Sequence, residues 1–105
     1  MATRRRRGPV PHREMEMLRF IGTSTSSRMW CITMTDEAMR LASNLGERGL
    51  VGFVPHSTRS LKGSDAILTN AGRALLLASA ALTPIQREYV ENTRVFEDPA
   101  VAKWP

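Results

Sequence analysis

Residues 36–51, DEAMRLASNLGERGLV, carry the clearest helical period in the chain and then break it at a glycine. Ala38, Leu41, Ala42 and Leu45 follow i, i+3, i+4, i+7 spacing, so one face of a helix is apolar. Thr35 or Asp36 can accept hydrogen bonds from the free backbone N–H groups at its start, and acids there suit the helix dipole. Gly49 stands where a left-handed residue closes a helix, with Leu50 placed to fold back on the last turn. LVGFVP (50–55) then forms a strand that Pro55 closes, because proline cannot donate to a ladder.

Downstream, HSTRSLKGSD (56–65) is polar and holds a glycine, which makes it a loop, and AIL (66–68) is a short returning strand. Thr69 is a natural N-cap for a helix in NAGRALLLASAAL (70–82). Gly72 is costly there, by about 1 kcal/mol relative to alanine, and its presence predicts that the helix start approaches the returning strand closely. In the next helix Thr83 caps, Pro84 takes the first position and Gln86 completes a capping box. Ile85, Tyr89 and Val90 form its expected inner stripe. FEDPAVAKWP (96–105) reads as an irregular tail, with Phe96 and Trp104 able to dock back on the body.

Upstream, EMEMLRFIG (14–22) places Met15, Leu18 and Ile21 on one helical face with Phe20 nearby. TSTSS is a polar loop. RMWCIT (28–33) alternates like a short strand, although a run this brief also fits a turn of helix. The predicted order is helix, short strand, helix, strand, loop, strand, helix, helix.

That order resembles a winged helix. LGERGLV (45–51) is similar to the end of the recognition helix in MarR-type and PadR-type regulators, where a leucine, a charged pair, glycine and Leu-Val lead into the wing. ILTNAGRALL (67–76) resembles the segment that leaves the wing in those families. The likeness covers roughly residues 36–77. It implies an α+β, mainly helical fold: a small winged helix-turn-helix domain with a two- or three-stranded wing and C-terminal helices. One departure lies upstream, where MWCI stands in place of a normal second helix, so the implied fold is a minimal one.

The resemblance implies a small DNA-binding protein, a transcriptional regulator. A recognition helix contacts base edges through its outward face, here Arg40, Ser43, Asn44 and Glu47. Arginine pairs with guanine and asparagine with adenine, making Arg40 and Asn44 the base-reading candidates. The loop offers His56, Ser57, Thr58, Arg59 and Lys62 for phosphates or the minor groove, and Arg73 faces either phosphate or the recognition helix's carbonyls. Arg4, Arg5, Arg6 and Arg7 suit a narrow, strongly negative minor groove. An alternative reading makes the same fold a protein-interaction or assembly module in a nucleoprotein complex, or a small phage-type inhibitor. The C-terminal helices are candidates for a homodimer contact.

Charge divides the chain further. Arg4–Arg7 and Arg13 lie in the first thirteen residues with no acid among them, while the other ten basic residues are matched by ten acids. The organisation expected is a basic arm (1–13), a formally neutral winged-helix domain (14–95) and a tail (96–105). The arm is the part whose charge attracts a polyanion, for which RNA or an acidic protein surface would serve as well as DNA; for the whole chain the resemblance makes the expected partner nucleic acid, DNA more than RNA. Gly8, Pro9 and Pro11 would break the amphipathic helix of a mitochondrial transit peptide, and no secretory signal or membrane-length apolar run is present. A lone cysteine, Cys31, makes the cytoplasm the default location. Cys31 and His56 have the residue types of a nucleophile–base pair, but the apolar MWCI context suits a buried, inert thiol. No zinc-type spacing and no phosphate-binding glycine loop appears, so the expectation is a binding protein with no enzyme activity, metal or cofactor.

Overall fold

The computed structural model describes residues 8–55 and 64–96. In chain order these form α1 (His12–Gly22), β1 (Arg28–Trp30), α2 (Asp36–Glu47), β2 (Val51–Pro55), β3 (Ser64–Leu68), α3 (Asn70–Ala78) and α4 (Pro84–Asn92). Single 3-10 turns at Thr25–Ser27 and Cys31–Thr33 flank β1. The fold is a small α+β domain, mainly helical, in which a three-stranded antiparallel sheet is ordered β1-β3-β2. Val51 pairs with Leu68 and Pro55 with Ser64, while Arg28 pairs with Ile67 and Trp30 with Asp65.

The ends of the helices follow their sequences. Thr35 accepts from the Ala38 N–H at the start of α2, Thr69 from Gly72 at the start of α3, and Thr83 with Gln86 closes a capping box on α4. At the end of α2, Gly49 turns the chain at φ +77°. Leu50 N–H then bonds to Leu45 carbonyl (3.0 Å) and Gly49 N–H to Gly46 carbonyl (3.0 Å). Such paired reverse bonds satisfy carbonyls that a helix end otherwise leaves open. Gly72 is the close approach its cost predicted: a Cβ there would collide with the Leu50 carbonyl oxygen and crowd Leu68.

The core gathers Leu18 and Ile21 of α1, Leu45 of α2, Leu68 of β3, Leu76 of α3 and Val90 of α4, all fully buried, with Cys31 among them. Several local expectations change. α1 begins at His12, and its inner face is Glu14, Met17, Leu18 and Ile21; Met15 is only half-buried and Phe20 is 60% exposed. β1 stops at Trp30 and the next three residues curl into the 3-10 turn, so strand and turn share the stretch that fitted both. β3 starts two residues early, because Asp65 is buried against Arg28 (Nε to Oδ2 2.6 Å), a partner 37 residues away that no local pattern shows.

α3 ends at Ala78, short of Leu82, where Ser79 turns extended and its hydroxyl donates to the Leu76 carbonyl (2.7 Å). On α4 only Val90 faces inward; Ile85 is 80% exposed, and Tyr89 lies outward with its hydroxyl on the Ser24 carbonyl (2.8 Å). Phe96 does dock back. Its N–H bonds to Leu68 carbonyl (2.6 Å) and its ring covers the place where a side chain on Gly52 would stand. Trp104 lies outside the described residues. No helix among the described residues is long and apolar enough to cross a membrane.

Two substitutions test the junction between α2 and α3. Gly72→Ala should lower unfolding free energy by about 2 kcal/mol, as overpacking against a fixed backbone does, despite alanine's better helix propensity. Thr69→Val, which removes the cap, should cost about 1–2 kcal/mol. Urea denaturation followed by circular dichroism measures both, and a stabilising Gly72→Ala would contradict the close-packing account.

Candidate nucleic-acid interface

α2 buries one face and presents the other. Ala42 and Leu45 are buried, whereas Arg40 and Glu47 are exposed and Ser43 and Asn44 are half-buried between them. These four residues sit at i, i+3, i+4, i+7, so they form one stripe along the helix. Arg40 is exposed and makes no hydrogen bond or ion pair with any described residue. After Glu47 the chain turns at Arg48 and Gly49 into β2. Beyond β2 lie residues 56–63, which hold His56, Ser57, Thr58, Arg59 and Lys62; like Arg4–Arg7, these fall outside the described residues.

Asn44 differs from the other three. Its Nδ2 donates to Glu14 Oε2 (3.2 Å) on α1, so one of its two polar ends is committed to the body. Glu14 Oε1 in turn accepts from Arg48 Nε (2.9 Å). Both charged side chains are nearly sealed, Arg48 8% and Glu14 6% exposed, although the backbone of Arg48 is half open at the helix end. Arg48 Nη1 also donates to the Gly8 carbonyl (3.1 Å). Three sequence regions therefore meet around this ion pair: the start of α1 through Glu14, the end of α2 through Asn44 and Arg48, and the segment before α1 through the Gly8 carbonyl on Arg48.

Sequence reasoning missed this cluster. Glu14 occupies the apolar stripe of α1, at i, i+3, i+4, i+7 with Met17, Leu18 and Ile21, and a carboxylate in that position signals a buried partner. Nothing local pointed to Arg48, which lies 34 residues away. Arg73 is also placed otherwise than expected. Its guanidinium bonds to the Thr93 carbonyl (3.1 Å) and Asn70 Oδ1 (2.9 Å), tying α3 to the end of α4.

Beside α2 a cleft of about 380 Å³ opens between α1 and the first turns of α2, with Met17, Phe20, Ala38 and Leu41 as its apolar lining. Arg13 and Glu37 pair across it (2.6 Å), both largely exposed and so of little weight for stability. Cys31 is fully buried, and His56 lies outside the described residues. Among the described residues no group of three or more His, Cys, Asp or Glu is gathered for a metal.

No family model, curated protein or solved structure matches this chain. Its own geometry carries the functional reading.

The Glu14 cluster separates support from recognition. Glu14→Gln should lower stability by about 3 kcal/mol, the usual cost of leaving one member of a buried ion pair uncompensated. Glu14→Leu with Arg48→Met should recover most of that loss. Asn44→Ala should cost about 1.5 kcal/mol, as loss of a hydrogen bond to a charged group does, whereas exposed Arg40→Ala should leave the melting temperature unchanged.

Proposed function

We propose that the chain is a small winged-helix protein that binds duplex DNA, as a transcriptional regulator, with α2 as its recognition helix. The observation that carries this reading is the succession of elements: α2, with one exposed polar stripe, turns at Gly49 directly into the antiparallel β2–β3 pair, and β1 adds to that pair in the order β1-β3-β2. Helix, strand, turn, helix and hairpin in that order match a winged helix whose second helix has shrunk to the turn Cys31–Thr33.

Within this reading Arg40 is the base-reading side chain, and Ser43 and Asn44 lie beside it. Asn44 has its amide nitrogen on Glu14, so we assign it to holding α2 on α1 before any contact with a base. Arg59 and Lys62 supply the wing's positive charge, and Arg4–Arg7 supply the arm's. Because the remainder of the chain is formally neutral, most of the affinity is electrostatic attraction to the arm. Nothing in this scheme needs a cofactor, and the protein acts by binding.

One observation favours the assembly reading. Phe20 on α1 and Ile85 on α4 are exposed apolar residues that a protein partner would cover, and Ile85 lies on one of the helices expected to meet a second copy. The two readings part in a single titration. With a labelled duplex of about 20 base pairs, DNA binding should weaken steeply as salt rises. Arg40→Ala should cost about 1–3 kcal/mol at its preferred site and reduce the difference between sequences. Deletion of residues 2–7 should weaken binding to all sequences alike and flatten the salt slope. Salt-insensitive behaviour with no duplex binding would leave the assembly module.

A further inference from the structure

We propose that two copies of the chain pair reciprocally, each seating the outer stripe of its α4 in the cleft between α1 and α2 of the other. Among the described residues Ile85 and Phe20 are the two most exposed large apolar side chains, at 80% and 60%. They differ in setting. Phe20 borders the cleft of about 380 Å³, whose other apolar lining is Met17, Ala38 and Leu41. Ile85 projects from the outer side of α4, at i, i+3, i+4, i+7 with Glu88, Tyr89 and Asn92. A recess and a projection on one molecule are the two halves of a contact between copies. The two also adjoin each other: Tyr89 hydroxyl donates to the Ser24 carbonyl (2.8 Å), and Ser24 hydroxyl to the Phe20 carbonyl (2.7 Å). A patch continuous in this way can meet its own copy about a twofold axis, so the contact is made twice and closes at two chains.

Length and charge fit the same occupant. The cleft follows α1 from Arg13 to Thr23, about 15 Å, and the stripe from Ile85 to Asn92 spans about 10 Å. Arg13 pairs with Glu37 and Glu16 contacts His12 (3.3 Å), whereas the Arg19 side chain bonds to no described residue. Glu88 is exposed, and its carboxylate likewise bonds to none. When α4 lies along the cleft in the direction of α1, Ile85 beside Met17 brings Glu88, three residues on, level with Phe20 and Arg19. The unpaired cation of one copy then meets the unpaired anion of the other. Arg87, the basic neighbour of Glu88, is turned back onto the Leu77 carbonyl of its own chain (2.6 Å) and does not oppose this pairing. Arg40 does not line the cleft, and no part of this contact depends on the duplex-binding reading.

The test uses the full chain, freed of nucleic acid, in analytical ultracentrifugation over a dilution series. The parent should pass from monomer to dimer, and no further, as concentration rises. Phe20→Ser and Ile85→Ser remove the two apolar anchors at exposed positions, so each should keep the parent's melting temperature. Each should weaken dimerisation about tenfold or more, as truncating a central interface side chain does. Arg19→Glu or Glu88→Arg alone should also weaken it, and the two combined in one chain should restore it. Arg19→Glu with Glu91→Arg, equal in net charge but off the stripe, should not. A parent that stays monomeric at every concentration, or a Phe20→Ser chain that dimerises as tightly as the parent, overturns the reciprocal pairing. Growth beyond two copies overturns it as well, as does failure of the combined Arg19→Glu, Glu88→Arg chain to recover.

Discussion

Thr69 is the joint on which this small domain turns. Its hydroxyl donates to the Gly49 carbonyl (2.8 Å) and accepts from the Gly72 N–H (3.0 Å), while its own N–H bonds to the Leu50 carbonyl (3.1 Å). One residue therefore connects the exit of α2, the entry of β2, the end of β3 and the start of α3. The missing side chain at Gly72 lets these backbones meet, since any Cβ would strike the Leu50 carbonyl. LGERGLV and ILTNAGRALL are the two halves of this joint. A threonine that caps one helix also closes the other, and the spacing between the two motifs is the length of the hairpin.

Much of the backbone was legible in the sequence, and the reason is local chemistry. The three threonine caps, the capping box on α4, the glycine stop after α2 and the proline at the end of β2 act within four residues of themselves. They fix where elements begin and end with little help from the rest of the chain. The helical spacing of α2 marked Ala42 and Leu45 as inward because that helix has one apolar stripe and one polar one.

What escaped was long-range. Glu14 with Arg48 and Arg28 with Asp65 are pairs separated by 34 and 37 residues, and each places a charge where periodicity alone expects something else. α4 misled for another reason: Ile85 and Tyr89 share a stripe with each other, yet the inward face is set by where Val90 meets the core. Asn44 shows the same limit at the candidate site. Its position on the helix suggested a reader of bases, and only the neighbouring helix reveals that its amide already has a partner. Arm and hairpin residues were legible as charge, and charge is the property by which they are proposed to act.

The turn Cys31–Thr33 gives the domain an economical form. With one turn between β1 and α2, the side of α1 bearing Phe20 is left open to solvent beside the first residues of α2. Elsewhere the core is closed by α3 and α4, through Leu76 and Val90. On the outward stripe of α2, Arg40 can vary without disturbing the packing beneath it, whereas Asn44 is tied to Glu14 of α1.

The strand order has a consequence for how the chain is made. Among the described residues β3 is the last strand in sequence, and it lies at the centre of the sheet, so β1 and β2 share no hydrogen bonds with each other. During synthesis from the N-terminus, both earlier strands stay unpaired on both edges until residues 64–68 emerge. Unpaired edges are templates for pairing with other chains. The nascent protein is therefore most exposed to aggregation over one interval, between completion of β2 and arrival of Leu68. A single five-residue strand ends that interval for both neighbours at once.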